Sequence, residues 1–228
     1  MGREGEVIDI RGARLVPDVS GGLWWPETET LVVADLHLEK GSAFAARGAM
    51  LPPYDTAATL ARLEETAARR GPRRIIALGD SFHDSGAGGR LADCDRDRLV
   101  RLQSRCDWLW IAGNHDPAPP EGIGGAWHEE VTIGPLTFRH APETGGGTGE
   151  IAGHLHPVAR VRLKGRALRR RCLVCDGFRA ILPAFGAFTG GLNVLDAAYE
   201  GLFAGRGFTA WLLGARSVYP LPGHLLVG

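Results

Sequence analysis

Eight residues with metal-binding side chains occur in short motifs along the first two thirds of the chain. They are Asp35 and His37 in DLH, Asp80 in GD, Asn114 and His115 in GNHD, the isolated His140, and His154 and His156 in GHLH. Carboxylate and imidazole donors together suit a borderline divalent ion such as manganese, iron or zinc, whereas magnesium and calcium prefer oxygen alone. The residue types therefore predict a transition-metal site.

The number and spacing of these residues favour two ions over one. Two residues separated by one point to the same side of an extended chain, so the spacing in DLH and in HLH lets each pair reach one centre. The set is too large for a single ion and suits two ions roughly 3.5–4 Å apart that share a carboxylate. Such an arrangement clamps the attacking and leaving oxygens of phosphoryl transfer.

The first three motifs each follow an apolar run that is typical of a buried strand. These runs are Leu31–Ala34, Ile75–Leu78 and Trp108–Ala112. Helices are predicted between them at about Asp55–Arg70, with Asp55 as the N-terminal cap, and at Ala92–Arg105. Alternating strands and helices indicate a parallel sheet, whose functional groups collect at the carboxyl ends of the strands. The sequence thus predicts one rim that carries all three motifs.

After Pro117 the pattern changes to short apolar segments, many of them separated by glycine or proline. They are Val131–Ile133, Leu136–His140, Ile151–Gly153, Val158–Leu163, Cys172–Val174 and Ala180–Leu182. Short segments of this kind predict a second, mostly antiparallel sheet. From about Gly186 onward the sequence shows no pattern that indicates chemistry.

Composition limits the class of protein. The 228 residues carry a net charge of zero at pH 7, so no overall field draws the chain to nucleic acid or to a membrane. The N-terminus lacks an apolar signal core, and no stretch approaches the roughly 20 apolar residues that span a bilayer. These features predict a cytoplasmic protein without membrane contact. Cys172 and Cys175 form an isolated CxxC and are expected to be buried strand residues.

As an ordered set, DLH, GDSFH, GNHD, a single histidine and GHLH resemble the signature of the calcineurin-like metallophosphoesterase superfamily. The phrases DLHLEKGSAFAARG, LPPYDTAATLARL, GDSFHD and GHLHP are similar to the bacterial DNA-ligase-associated metallophosphoesterase/endonuclease subfamily. The resemblance implies an α/β fold, a four-layer α/β/β/α sandwich of two mixed sheets flanked by helices, formed by residues 1–228 as one domain.

The resemblance also implies which residues hold which ion. One ion would bind Asp35, His37, Asp80 and His156, and the other would bind Asp80, Asn114, His140 and His154, with Asp80 as the bridge. Manganese is the expected metal, with iron or zinc as alternatives. A hydroxide that bridges the two ions would be the nucleophile, because ligation lowers the pKa of water towards neutrality.

Three further residues have expected roles near the phosphate. By resemblance, His115 does not bind metal but faces the scissile phosphate, where it stabilises the transition state or protonates the leaving oxygen. Asp116 would orient His115 and keep it protonated. His83 stands where the superfamily often has an aspartate, three residues after the bridging one. We expect it to support the ligands or contact substrate rather than to bind metal.

Each motif residue also has a purely structural explanation. His37 or His140 alone could be a hydrogen-bonded histidine at a strand end, and Gly113-Asn114 is an ordinary turn dipeptide. The structural explanation must hold at five places, in family order and at the ends of apolar runs. Taken together, the motifs therefore favour the metal site.

The basic stretch RVRLKGRALRRR follows the last motif directly. Arg160, Arg162, Lys164 and Arg166 alternate, so they would line one face of a hairpin that turns near Gly165. Arg160, Arg162 and Lys164 could then contact phosphate or DNA beside the metal site. The alternative is a solvated edge strand that uses charge to resist aggregation, and the sequence alone slightly favours this alternative.

The leading functional hypothesis is a dinuclear-metal-dependent phosphodiesterase. By resemblance, its substrate would be DNA, its role would lie in DNA repair, and it would be functionally linked to a DNA ligase and a helicase. One alternative is a phosphodiesterase or phosphomonoesterase of small nucleotides, which the metal ligands do not distinguish from a nuclease. Another is a catalytically silent scaffold in a repair complex, against which the presence of every motif ligand counts.

Overall fold

Two β-sheets form the frame of the fold in the computed structural model, which describes residues 6–49, 54–145, 147–163, 165–203 and 207–228. The first sheet contains, in spatial order, β1 (Ile8–Ile10), β2 (Ala13–Pro17), β3 (Leu23–Trp25), β4 (Thr30–Ala34), β5 (Arg74–Leu78), β6 (Asp107–Ile111) and β7 (Ala126–His128). Strands β1 to β4 pair antiparallel, whereas β4 to β7 pair parallel. The three predicted parallel strands are thus confirmed.

The second sheet is built from the later part of the chain. Its strands are β8 (Glu130–Ile133), β9 (Leu136–Arg139), β10 (Glu150–Ala152), β11 (Val158–Leu163), β12 (Arg166–Cys175), β13 (Arg179–Ile181), β14 (Thr209–Leu213) and β15 (Val218–Pro222). The order is β15-β14-β12-β13-β10-β9-β8, and β11 pairs with β12. Strand β10 pairs parallel with β9 and β13, and the other named pairs are antiparallel. The expected mostly antiparallel second sheet is confirmed.

Four α-helices connect the parallel strands of the first sheet. They are α1 (Lys40–Ala46), α2 (Asp55–Arg70), α3 (Ala87–Arg90) and α4 (Asp93–Gln103). Leu60 and Leu63 of α2 and Leu99 of α4 are fully buried in one cluster with side chains of the sheet. The apolar spacing that predicted α2 and α4 therefore marks the faces that pack on the first sheet.

The start of α2 differs from the prediction in its cap. Tyr54 precedes the helix, and Asp55 is its first residue rather than its cap. The Asp55 carboxylate accepts a hydrogen bond from the Gly41 amide at 3.0 Å. Asp55 therefore joins α2 to α1, and the predicted capping role is wrong because the side chain is used for this tertiary contact.

The core of the fold lies between the two sheets. Val32, Ile76 and Leu78 of the first sheet are fully buried in one apolar cluster with Phe138 and Ile151 of the second. Burial of apolar surface contributes about 25 cal/mol per Å², so this shared layer is the main contribution that holds the sheets together. The two-sheet sandwich flanked by helices is confirmed.

The outer face of the second sheet has a thin cover. Two 3-10 helices, Ala197–Tyr199 and Gly223–Leu225, lie in this region among irregular segments. Tyr199 and Leu202 pack there against Cys172 and Val174 of β12. Cys172 and Cys175 are both buried, as expected. Among the described residues, no helix combines the length and apolar character needed to cross a membrane.

Candidate metal centre

The loops that follow β4, β5 and β6 are tied together into one rim. The amides of Asp35 and His37 donate to the backbone oxygens of Gly79 and Asp80, at 3.3 and 2.9 Å. The His115 amide, after β6, donates to the Asp80 carboxylate at 2.9 Å. Because the three strands are parallel, their carboxyl ends meet at the same edge of the sheet. The expected rim is therefore confirmed.

Asp35, His37 and His156 form the first group of candidate ligands, with donor atoms all within 4.8 Å of one another. The Nε2 atoms of His37 and His156 are 3.3 Å apart, and His156 Nε2 is 3.4 Å from Asp35 Oδ1. Donor atoms about 2.1 Å from one ion lie roughly 3.0–3.4 Å from each other. The three donors therefore have the spacing of ligands to a single ion.

Asp80, His140 and His154 form the second group, also with donor atoms within 4.8 Å of one another. His154 Nδ1 is 3.0 Å from His140 Nε2, which is 3.4 Å from Asp80 Oδ1. The Nδ1–H of His140 donates to the Leu78 backbone oxygen at 3.0 Å. That hydrogen bond leaves the Nε2 lone pair of His140 directed at the group, which suits a metal ligand.

The protonation of the histidines also fits a cation. Burial, together with the nearby His156, His115 and His83, lowers the pKa of His37 to about 2. Burial and then His140 lower the pKa of His154. Neutral imidazoles present lone pairs to a metal, and the buried Nδ1 of His37 has no hydrogen-bond partner among the described residues. The donor set therefore fits divalent ions at both groups.

Five of the predicted ligands have a left-handed backbone. The φ angles are 51° for Asp35, 45° for His37, 44° for Asp80, 69° for His154 and 46° for His156. Such angles are uncommon outside glycine, although aspartate and histidine are enriched among the exceptions. Strained backbone of this kind clusters at functional sites, where the surrounding structure holds it in place. The motif residues are thus placed by loop geometry that the sequence pattern does not reveal.

The left-handed backbone corrects the argument that the spacing in DLH and HLH brings both residues of each pair to one metal ion. That argument requires an extended chain, but the ligands of DLH and HLH have a left-handed backbone conformation. Asp35 and His37 do share one group, whereas His154 and His156 contribute to different groups. The division of the HLH pair that the resemblance implies, and not the one from spacing, agrees with these two groups, and the assignment of each residue to an ion stays a prediction.

Glycines next to the ligands allow the loops to approach one another closely. A Cβ atom at Gly79, where φ is 67°, would overlap the His140 ring. A Cβ at Gly113 would overlap the backbone of Asp80, and one at Gly153 would lie 2.6 Å from the Asp35 carboxylate. The glycines of GD, GNHD and GHLH are therefore required by packing, which gives each motif a physical reason for its first residue.

His115 and His83 lie beside the first ligand group. The Nδ1–H of His115 donates to the His83 backbone oxygen at 2.7 Å, and Nε2 is 3.9 Å from Asp80 Oδ2. The His115 side chain is 42% exposed. His37, His83 and His115 also place one nitrogen each within 4.8 Å of one another. His83 therefore lies next to His37 and His115, and its expected role in supporting the ligands or contacting substrate stays a prediction.

Asp116 has a different partner from the expected one. Its carboxylate, 1% exposed, accepts hydrogen bonds from the amides of Ser81, Phe82 and Gly113 at 2.7, 3.0 and 3.1 Å. Burial, with a smaller contribution from Asp80, raises its pKa to about 7 despite these amides. The His115 ring is held by a backbone oxygen instead. Asp116 thus joins the β5 and β6 loops rather than orienting the His115 ring.

The remaining candidate residues lie at the edge of this site. Asn114 is exposed between Gly113 and His115, and its role as a ligand stays a prediction. Arg160 and Arg162 are exposed on β11, which begins two residues after His156. Lys164 lies outside the described residues.

Two mixed sheets with helices on the flank carry two histidine–carboxylate groups at the ends of strands from both sheets, an arrangement typical of a metal-binding site. The chain belongs to the calcineurin-like phosphoesterase family, whose profile matches residues 28–166, more than half of the chain. Members of this family are metal-dependent phosphoesterases that use a dinuclear divalent metal centre.

The relatives cover this chain to different extents. The crystal structure of Pseudomonas putida nuclease MPE resembles this fold with a TM-score of 0.72. The two sequences are 32% identical, and the match covers 96% of this chain and 100% of that chain. The 3',5'-cyclic adenosine monophosphate phosphodiesterase CpdA of Pseudomonas aeruginosa is 35% identical over 97 residues, which are 42% of this chain and 34% of that protein. The chain therefore spans about a third of this curated relative.

Proposed function

We propose that the protein is a two-metal phosphodiesterase whose substrate is DNA. The observation that carries the proposal is the pair of ligand groups, Asp35–His37–His156 and Asp80–His140–His154, each with the donor spacing of a metal site. Likeness to a nuclease over almost the whole chain supports a nucleic acid over a small substrate, and the sequence resemblance to the DNA-ligase-associated subfamily favours DNA.

The chemistry divides between the metals and the chain's own residues. Two bound divalent ions would activate water and neutralise phosphate charge, and manganese is the proposed metal. Asp35 and Asp80 supply the anionic donors that offset the charge of the cations. The exposed His115 ring has Nδ1 fixed by the His83 backbone oxygen, so its Nε2 is oriented for hydrogen bonding to a substrate oxygen. We assign His115 to stabilising charge on the phosphate or to protonating the leaving oxygen.

A small cyclic nucleotide is the second candidate substrate. It is favoured by the partial match to a cyclic nucleotide phosphodiesterase, which covers 42% of this chain and 34% of that relative. The diester bond and the metal chemistry are the same in both cases. The two candidates differ in size and charge, so direct competition between DNA and cyclic AMP separates them.

The first test is manganese-dependent hydrolysis of bis-p-nitrophenyl phosphate beside p-nitrophenyl phosphate. We expect hydrolysis of the diester, and we expect Asp80→Asn to abolish it because Asp80 is a donor of the second group. Asp97→Asn is the matched control, since Asp97 is exposed on α4. Loss of hydrolysis in both variants, or in neither, would contradict the assignment of Asp80.

The second test uses the natural substrate classes. Single-stranded DNA and cyclic AMP are offered to the manganese-loaded protein, with chelated protein as the blank. Cleavage of DNA in preference to cyclic AMP is the expected result. Turnover of cyclic AMP with intact DNA would replace the DNA proposal with the small-nucleotide one.

The cellular role is part of the same proposal. Action in DNA repair, a functional link to a DNA ligase and a helicase, and a cytoplasmic location are proposed on the strength of the family resemblance. The shared core between the two sheets supports a single domain of residues 1–228. The scaffold alternative predicts less than one tightly bound transition metal per chain, so metal analysis of the purified protein tests it directly.

A further inference from the structure

An arginine-rich hairpin extends from the second sheet beside the metal centre. We call it the arginine arm and define it as β11 with residues Arg166–Arg171 of β12. Its strands pair antiparallel from Val158 opposite Arg171 to Leu163 opposite Arg166. Strands β13 and β14 pair with β12 only between Cys172 and Cys175, so the arm extends beyond them as a two-stranded ribbon.

The arm has one face that carries most of its positive charge. Arg160 lies opposite Arg169, and Arg171 lies opposite Val158. Residues directly opposite each other in an antiparallel pair share a face, and alternate residues along a strand do so too. One face therefore carries four arginines. They are Arg160, Arg162, Arg169 and Arg171. The prediction that Arg166 shares this face is wrong, because the register places Arg166 opposite Leu163 and so on the other face.

This arginine face is turned towards the side on which the metal ligands lie. Leu173 and Cys175 of β12 pack in the core between the two sheets. By the two-residue alternation of a strand, Arg171 and Arg169 continue that inner face beyond the sheet. Val161 packs in the cluster on the opposite, outer face. The arginine face is thus an extension of the surface that faces the first sheet and its rim.

Contacts at the base of the arm connect it to the ligand loops. The guanidinium of Arg171 donates to the Ala184 backbone oxygen at 2.9 Å. The next residue, Phe185, donates its amide to the Ala34 oxygen at 2.7 Å, directly before the ligand Asp35. At the other strand, Val158 follows His156 by two residues. The base of the arginine face is therefore linked to the segments that carry Asp35 and His156.

The arginines of the arm have no acidic partner, whereas several arginines elsewhere in the described chain do. Arg70 pairs with Asp18 at 2.7 Å, and Arg98 pairs with Glu64 at 2.6 Å. Within the described part of the chain, no arginine of the arm forms an ion pair, and the side chains of Arg160 and Arg162 make no hydrogen bond. Because these arginines have no ion pair, their face carries a local positive charge, although the net charge of the whole chain is zero.

Protection of a free sheet edge does not explain Arg160, at the base of the arm. The outer edge of β11 is already hydrogen-bonded, since the Val158 amide donates to Leu192 and the Val194 amide donates to Val158, at 2.9 and 3.0 Å. The Val227 amide donates to the Arg160 oxygen at 2.9 Å. Up to Arg160 the edge has no need of charge to prevent pairing with another chain.

We propose that the arginine face binds the phosphate backbone of a nucleic-acid strand that leads away from the metal centre. The inference rests on the proposed function for its substrate class. Six strand residues extend about 20 Å, a length over which a nucleic-acid strand carries several phosphates and which exceeds a mononucleotide. Guanidinium groups bind phosphate through paired hydrogen bonds, which suits arginine to this task.

The test measures binding of a phosphorothioate single-stranded DNA probe to the manganese-loaded protein as a function of salt. The arm variant is Arg160→Gln with Arg162→Gln, whose side chains hold no described contact. The charge-matched control is Arg101→Gln with Arg105→Gln. Both of these arginines are exposed near the C-terminal end of α4, just before β6 begins and away from its carboxyl end.

We expect the arm variant to bind the probe about tenfold more weakly at moderate salt. Its slope of log affinity against log salt should be shallower by about 1.4, because each phosphate contact in a single strand contributes about 0.7. The control should keep the affinity and slope of the parent protein. Equal affinity and slope in the arm variant and the control would overturn the proposal.

Hydrolysis of bis-p-nitrophenyl phosphate in the same preparations separates this inference from the proposed function. Hydrolysis by the parent protein, with equal probe binding by both variants, would refute the arm and leave the phosphodiesterase intact. Selective loss of probe binding in the arm variant, with no hydrolysis by the parent, would support the arm and refute the phosphodiesterase.

Discussion

Gly79→Ala is the substitution that most directly tests how the metal centre is built. Gly79 directly follows β5 and has a left-handed φ of 67°, and an added Cβ would lie 2.7 Å from His140 Cβ and overlap the ring. Ordinary carbon contacts are about 3.5–4.0 Å, so the ring must move by roughly 1 Å. The ring that moves belongs to His140, whose Nε2 lies next to both His154 and Asp80 in the second ligand group.

The magnitude follows from two contributions. A left-handed backbone costs a non-glycine residue about 1–2 kcal/mol, and overpacking a rigid neighbour costs about 1–3 kcal/mol. We therefore expect the free energy of unfolding to fall by about 2–5 kcal/mol. Displacement of the ring also breaks the 3.0 Å hydrogen bond from His140 to Leu78 and moves Nε2 away from Asp80. Misplacement of about 1 Å in an active site can lower the rate about a hundredfold.

Urea unfolding measures the first effect, and manganese content with diester hydrolysis measures the second. Gly89→Ala is the control, because Gly89 lies in α3 with no atom within 4 Å of an added Cβ. It should be neutral or slightly stabilising. A Gly79→Ala protein with the stability, metal content and hydrolysis rate of the parent would refute the reasoning that this glycine makes room for His140.

Two further predictions concern buried carboxylates. Burial raises the pKa of Asp18, but hydrogen bonds from Ser20 and Arg70 outweigh it and lower the pKa below 3.8. Its stabilising contribution is therefore present above about pH 4 and lost as the pH falls through the folded-state value. Asp18→Asn should lower the free energy of unfolding at pH 7 by about 1–3 kcal/mol and weaken its acid dependence, which urea titrations at several pH values would detect. The Asp116 carboxylate accepts hydrogen bonds from three amides with two oxygens, whereas Asp116→Asn leaves one carbonyl oxygen to accept them. It should cost about 1–3 kcal/mol and reduce manganese content, and unchanged values in both measurements would contradict its role in joining the loops.

The position of the site could be predicted from the sequence, because apolar strands that end in polar motifs have a simple physical meaning. The parallel strands bring DLH, GD and GNHD to one rim, as the pattern indicates. The partition of His154 and His156 between two groups could not be predicted from spacing, because it depends on left-handed φ angles. No local pattern specifies those angles, which are held by hydrogen bonds between loops distant in sequence.

Tertiary contacts explain the other departures. Asp55 lies where a capping residue is common, yet its carboxylate is used by Gly41 of α1. Asp116 lies beside His115 in sequence, yet it serves amides that follow β5, which the sequence does not mark as neighbours. The alternation of Arg160 and Arg162 was visible as a pattern. The side of the sheet that these two arginines face depends on the register of β11 with β12, which the sequence does not specify.

At the ligand positions the left-handed backbone lowers the stability of the fold, whereas the side chains supply the metal donors. Aspartate and histidine at these φ angles carry a conformational cost of about 1 kcal/mol each that glycine would not. Replacement of His154 or Asp35 by glycine would relieve that local strain while removing a metal donor. The residues that supply the metal donors are therefore ones whose backbone costs the metal-free fold stability, and bound metal should offset that cost by stabilising the folded state.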